Sequence, residues 1–170
     1  MAQSLLASLP ELSLTHTDCG DAGLAALAAT LAHTRISDLS ICSNDQISVE
    51  GFRSLAAALK DLRHLEALYA NDCSGPDSAA AAALAEGTRQ IPLPPCPLPP
   101  CSLHELNLDR CSIRDEGAQA IARVLRTGCL PYLRELEICE NPIGEAGRFA
   151  LVAAEQTVAP EQELVITLDD

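Results

Sequence analysis

Eight cysteines, four histidines and 24 acidic residues are the side chains of this 170-residue chain that could do chemistry. Their spacing decides which chemistry. Cys96, Cys101 and His104 come nearest to a metal cluster, but structural zinc takes four N or S ligands at tight spacing, and no fourth ligand stands within reach. The first two could instead pair as a disulfide in an oxidising compartment. His16, His33, His64 and His104 share no repeated spacing. No GxSxG, phosphate-binding glycine loop or HExxH accompanies them. The chain is therefore read as non-enzymatic, with no cofactor and no metal.

The acids say more. Net charge is -13 and the isoelectric point is near 4.5, which argues against a nucleic-acid backbone or an anionic membrane surface as ligand. A basic protein partner is the electrostatic complement. No segment approaches the roughly 20 apolar residues that span a bilayer, and the stretch before Pro10 lacks the basic start of a signal peptide and the arginines of a transit peptide. The expected setting is intracellular, in the cytoplasm, with cytoskeleton and cilium as candidate locations.

The elements that must position these residues show in one stretch, Leu103 to Leu125. Apolar and small residues fall there at Leu103, Leu106, Leu108, Cys111, Ile113, Gly117, Ile121 and Leu125. The same offsets recur at Leu9, Leu12, Leu14, Thr17, Cys19, Gly23, Leu27 and Leu31, and again from Leu133 to Leu151, where only the last slot, Glu155, is out of character. Self-similarity at such a period is the mark of a stacked repeat. Each unit opens with apolar-polar alternation, as in Leu12 to Leu14, which suits a short strand. It closes with apolar residues at helical spacing, as in Leu24, Leu27, Ala28 and Leu31. Neither face can be buried within one unit, so neighbours must cover both.

The second unit runs from Ile36 to Leu59, with Ile47 one residue late, which predicts a local bulge near Asp45 or Gln46 and a helix from about Ser48 to Lys60. The third holds Leu65, Leu68, Ala70 and Cys73 but replaces its helix face by Ala79 to Ala83. Helices are expected at about 115–127 and 144–157 in the fourth and fifth units. Leu164, Ile166 and Leu168 then predict a sixth strand. Equivalent strand positions Leu12, Leu39, Leu68, Leu106, Leu136 and Ile166 are spaced by 27, 29, 38, 30 and 30 residues. The long interval contains six prolines between Pro92 and Pro100, which forbid helix or interior strand. Residues 88–102 are thus read as a proline-rich insertion within a single domain spanning 1–170, either a stiff cover for the alanine helix or a docking peptide.

The shared pattern, LxxLxLxx(N/C/T)x(I/C)xxxGxxxLxxxL, resembles the leucine-rich repeat, and its length, glycine and full helix resemble the ribonuclease-inhibitor-like subclass. The resemblance implies an α/β solenoid: a short horseshoe arc of about five repeats plus a terminal strand, with parallel strands on the concave face, helices on the convex face, and protein binding as its usual work. Thr17, Asn44, Cys73, Cys111 and Asn141 share one slot, three residues after the second strand leucine. There the chain turns out of the strand inside the stack and its carbonyls need donors. Compact Thr, Asn and Cys side chains can supply them. Of the cysteines, Cys19, Cys73 and Cys111 read as core, and Cys42 and Cys139 as outward-facing. Acids at helix starts, Asp21, Glu50, Asp115, Glu116 and Glu145, suit the dipole of their own helix.

Strand alternation also selects the candidate binding residues. Tyr69, Asn71, Asn107, Asp109, Arg110, Glu137, Glu140 and Asp169 lie between or after the strand leucines on the concave face. The N-terminal half of that face is small and hydroxylated and the C-terminal half acidic, with Tyr69 at the boundary, as in a protein-binding hot spot. The function expected is a protein-protein interaction module or scaffold within a larger multi-protein complex. A regulator of a small GTPase resembling Ran GTPase-activating proteins, or a ubiquitin-ligase substrate adaptor, is the alternative.

Overall fold

The computed structural model describes residues 9–31, 34–59, 61–73, 102–128, 130–158 and 162–169. Six three-residue strands, β1 (Glu11–Ser13), β2 (Asp38–Ser40), β3 (Ala67–Tyr69), β4 (Glu105–Asn107), β5 (Glu135–Glu137) and β6 (Val165–Thr167), form one sheet in sequence order. All pairings are parallel, and Leu12, Leu39, Leu68, Leu106, Leu136 and Ile166 share a single register row. Helices α1 (Asp21–Leu31), α2 (Val49–Leu59), α3 (Asp115–Arg126) and α4 (Glu145–Glu155) return the chain between strands, with α1 against α2 and α3 against α4. This is the α/β arc that the repeat implies. The alanine segment of the third unit and residues 88–101 of the insertion lie outside the described residues, although β3 and β4 on either side of them pair directly.

The core is the space between strand leucines and helices. Leu39, Leu68, Leu108, Leu133 and Leu136 from the strand side meet Leu24, Phe52, Leu55 and Leu151 from the helices, all fully buried. Each such side chain contributes ~1.5–3 kcal/mol, so these rows supply most of the driving force. The end layers differ. Leu12 and Ile166 are only half-buried, and Leu9, expected to be apolar core like Leu103 and Leu133, is 40% exposed. The late Ile47 is fully buried, and Asp45 and Gln46 form the extra turn that brings it there.

What sets the register is the turn slot. Asn44 donates its amide to the carbonyls of Leu14 (2.8 Å), Ile41 (2.9 Å) and Cys42 (3.2 Å), and its Oδ1 accepts the backbone N–H groups of Thr17 (3.2 Å) and Cys19 (2.9 Å). Asn141 repeats the arrangement with Leu108, Ile138 and Cys139 as acceptors at 2.9 to 3.0 Å and Cys111 and Ile113 as donors. Each asparagine thus serves its own coil and the one before. Thr17, Cys73 and Cys111 supply donors only, to Leu14 (2.7 Å), Ile41 (3.3 Å) and Ala70 (3.1 Å). Preceding the slot, His16, Ser43, Asp72, Arg110 and Glu140 all adopt positive φ between 53° and 56°. That left-handed residue directs the chain out of the strand at a cost L-residues normally avoid, and the buried bonds beside it offset the cost.

The helix-start acids lie in the first turns where they are expected, and two of them do more. Asp21 does not only face its own helix dipole. Its Oδ1 accepts the backbone N–H groups of Ser48 (2.7 Å) and Gly51 (3.1 Å), and its Oδ2 the Ser48 hydroxyl (2.7 Å), so it caps α2, one coil on. Asp115 caps α4 in the same way through Gly144 (2.7 Å) and Gly147 (3.1 Å). This explains the repeat glycine: a Cβ at Gly147 would meet Ile143 at 2.6 Å and Asp115 at 2.8 Å. The Ser48 bond holds the Asp21 carboxyl below its ordinary value despite some burial. Its contribution to stability is therefore fully present above the ordinary carboxylate pKa and is lost as pH falls through the lowered one.

Asn141→Leu will lower unfolding free energy by about 2 kcal/mol or more in urea titration, because it strands buried donors and acceptors of two coils. Gly147→Ala, which would stabilise an ordinary helix by roughly 1 kcal/mol, will instead lower the midpoint.

Candidate interaction surface on the inner strand face

The strand pleat sends alternate residues to one face, and the parallel register lines them up in columns. The central column runs Ser13, Ser40, Tyr69, Asn107, Glu137 and Thr167. The column after the second leucine runs Thr15, Cys42, Asn71, Asp109, Cys139 and Asp169. At the N-terminal end short side chains bond laterally: Thr15 Oγ1 lies 3.1 Å from Ser13 Oγ and 2.8 Å from Ser40 Oγ. The line continues from Ser40 to the Cys42 sulfur (3.2 Å) and from the Cys42 thiol to Asn71 Oδ1 (2.7 Å). Cys42 stands in the outward-facing column as expected, but its neighbours in this line cover it and it is buried. Cys19, expected in the core, is half-buried against its edge.

At the C-terminal end the predicted residues form one polar network. Asn71 Nδ2 donates to Asp72 (3.0 Å), and Arg110 Nε pairs with Asp72 (2.9 Å) and reaches Glu140 at 4.0 Å. Asn107 Nδ2 donates to Glu137 and, at 3.5 Å, to Asp109. Asp109 Oδ1 accepts the backbone N–H of Cys139 (2.6 Å), and Asp169 accepts that of Glu140. Tyr69 donates to Glu105 Oε2 (2.9 Å). Glu105 is not among the candidate binding residues of the sequence. It stands one residue before the strand leucine, and the alternation that selects Asn107 and Asp109 puts it on the same face, beside Glu135 and, across Ala67, in one column with Asp38.

The electrostatics follow from crowding. Burial, then the bond to Glu105 and the charges of Glu105, Asp38 and Glu137, push the Tyr69 pKa up to about 12, so the phenol stays a donor. Burial raises Glu137 above the ordinary glutamate value, Asp109 adds to the rise, and the Asn107 amide partly counters it. Burial and the charges of Asp109 and Asp169 likewise raise Cys139. Deeper in the stack, burial pushes Cys73 up to about 11 and Cys111 up to about 12. These are thiol donors to carbonyls, and thiolate chemistry is suppressed at both. Of the weighed zinc ligands, Cys96 and Cys101 lie outside the described residues, and His104 stacks on Tyr132 with ring centroids 6.0 Å apart. Among the described residues no three His, Cys, Asp or Glu side chains are grouped to hold a metal ion, and no helix is long and apolar enough to cross a membrane.

Comparison with known proteins agrees with this geometry. A sequence model of the Leucine Rich repeat family matches residues 100–122, the strand, turn and helix start of the fourth coil. No curated protein matches the chain in sequence. Among solved structures, the leiomodin-1 actin-binding site 2 superposes with a TM-score of 0.60 over 99% of this chain and 75% of that one, at 15% identity. The two share a fold. The chain folds as a leucine-rich-repeat arc.

A carbon-detected NMR titration will place Glu137 above the exposed glutamates of the chain. Asp109→Asn, which removes the neighbouring charge and keeps an acceptor for Cys139, will move the Glu137 midpoint downward, toward the ordinary value.

Proposed function

We propose that this chain is a non-enzymatic protein-protein interaction module, a scaffold or subunit of a larger intracellular assembly, that takes its partner on the concave strand face. The observation that carries the reading is the polar network joining Asn71, Asn107, Asp109, Arg110, Glu137, Glu140 and Asp169 through bonds across three coils and the segment after β6, with the Tyr69–Glu105 pair at its border. Its carboxylates outnumber its cations, and Glu137 is held partly against ionisation by burial and by Asp109. A lysine or arginine arriving from a partner relieves that crowding. The occupant is a basic segment of a protein, and its attraction steers association more than it adds affinity.

The repeat length and full helices support placing the chain with the ribonuclease-inhibitor-like subclass, as one domain interrupted by the proline-rich insertion. The leiomodin-1 domain is an actin-binding site, which makes actin the first partner to test and the cytoskeleton the first setting. The small-GTPase regulator and the ubiquitin-ligase adaptor draw no support from the site, where Arg110 Nε is already held by Asp72.

Capture of partners from cell extract at low and moderate salt, with actin co-sedimentation beside it, supplies the ligand for the decisive variant. Glu137→Lys with Glu140→Lys will weaken binding at least tenfold, ~1.4 kcal/mol, while the thermal midpoint stays within the small range of surface changes. Unchanged affinity in the folded double variant rules out the concave face.

A further inference from the structure

The last helix departs from the repeat at two positions, and both departures act at the open edge of the sheet. The slot that closes the helix face holds Leu31, Leu59 and Leu125 in the three earlier helices described, all buried, and Glu155 in α4. A carboxylate at a helix C-terminus opposes the helix dipole, so α4 gains nothing from it locally. The slot after the repeat glycine holds Leu24, Phe52 and Ala118, all fully buried, and Arg148 in α4. Ala118 faces the following helix, since a Cβ at Gly147 would come within 3.0 Å of it. Arg148 therefore stands where a next helix would approach.

The hydrogen bonds show what the two residues do. In the interior coils the N–H of the second strand leucine points to the next strand: Leu14 to Ser40 (2.8 Å), Ile41 to Tyr69 (2.9 Å), Leu108 to Glu137 (2.8 Å) and Ile138 to Thr167 (3.1 Å). Amides two residues apart on a strand point the same way, so the Ile166 N–H of β6 points off the sheet. Glu155 Oε1 accepts it at 3.0 Å. Arg148 donates to the carbonyls of Ile143 (3.3 Å) and Asp169, which ties the chain beyond β6 back to α4.

We infer that Glu155 and Arg148 close the β6 edge against addition of another parallel strand, and that the strand excluded is β1 of a second copy of this chain. β1 is the complementary surface, because Leu12 on β1 and Ile166 on β6 are both half-buried, while the equivalent residues of the strands between them are buried. Val152, 42% exposed, and Val165, 57% exposed, add apolar surface at the β6 end. Head-to-tail stacking would bury both ends, and a heterologous contact of that kind leaves new free ends and grows without closing. The glutamate occupies the donor an incoming strand needs and sets a negative charge against its carbonyls. The arginine blocks the following helix. Edge strands without such protection are sites of aggregation.

The test is the solution mass of the wild type and of Glu155→Leu with Arg148→Ala, by light scattering over a wide concentration range, with circular dichroism as the check on folding. The double variant will grow with concentration beyond the wild type. A folded double variant that keeps the wild-type mass throughout overturns the inference. Amide hydrogen exchange at Ile166 tests the closing bond even where the double variant fails to fold. Glu155→Ala will speed exchange at that amide about fivefold or more, as loss of one hydrogen bond predicts, and Glu155→Gln, which keeps the acceptor, will restore protection. Equal exchange in wild type and Glu155→Ala overturns it.

Discussion

A backbone that leaves a three-residue strand inside a stack of like strands carries polar groups that water cannot reach, and every other feature of this protein depends on how they are satisfied. Asn44 and Asn141 meet the demand most fully, each bonding three carbonyls and two amides across two coils. Where Thr or Cys takes the slot, only the donor half is supplied. Buried leucines contribute more energy than these bonds, but leucines alone would tolerate slippage. A buried amide with five fixed partners does not.

From that register follows the mutual dependence of the coils. Asp21 and Asp115 sit in one helix and cap the next one along, and the glycines at 51 and 147 exist because a side chain there would strike the capping carboxylate or its neighbours. Helices α2 and α4 are therefore not autonomous units, since N-terminal amides of each are completed by the coil before it. At β6, where stacking stops among the described residues, side chains take over what the next coil's backbone would have done.

The same columns that bring leucines together inside bring acids together outside. Glu137 is raised by burial and by Asp109, and Tyr69 is kept protonated by burial and by Glu105, Asp38 and Glu137. This crowding is held in place by the register, because separating Asp109 from Glu137 would require moving a strand. A surface that keeps partly desolvated carboxylates in fixed positions needs little reorganisation to receive a cation, and preorganisation of this kind lowers the cost of binding.

Periodicity by itself determined the strands, the first helix by its apolar spacing and the other three described helices to within two residues, the single register row and the turn slot, because each rests on spacing along the chain and on local propensity. It also placed Tyr69, Asn107, Asp109, Glu137 and their neighbours on one face, since alternation in a strand is a local rule. Contacts between coils were not legible. That Asp21 serves α2, that Cys42 is buried within the polar line, that Glu105 holds Tyr69, and that the ill-fitting Glu155 closes β6 all depend on which residue of a neighbouring coil lies within bonding distance. Spacing says that coils stack. Only their packed geometry decides which donor meets which acceptor, and whether a residue that breaks the pattern is a flaw in the repeat or the part that ends it.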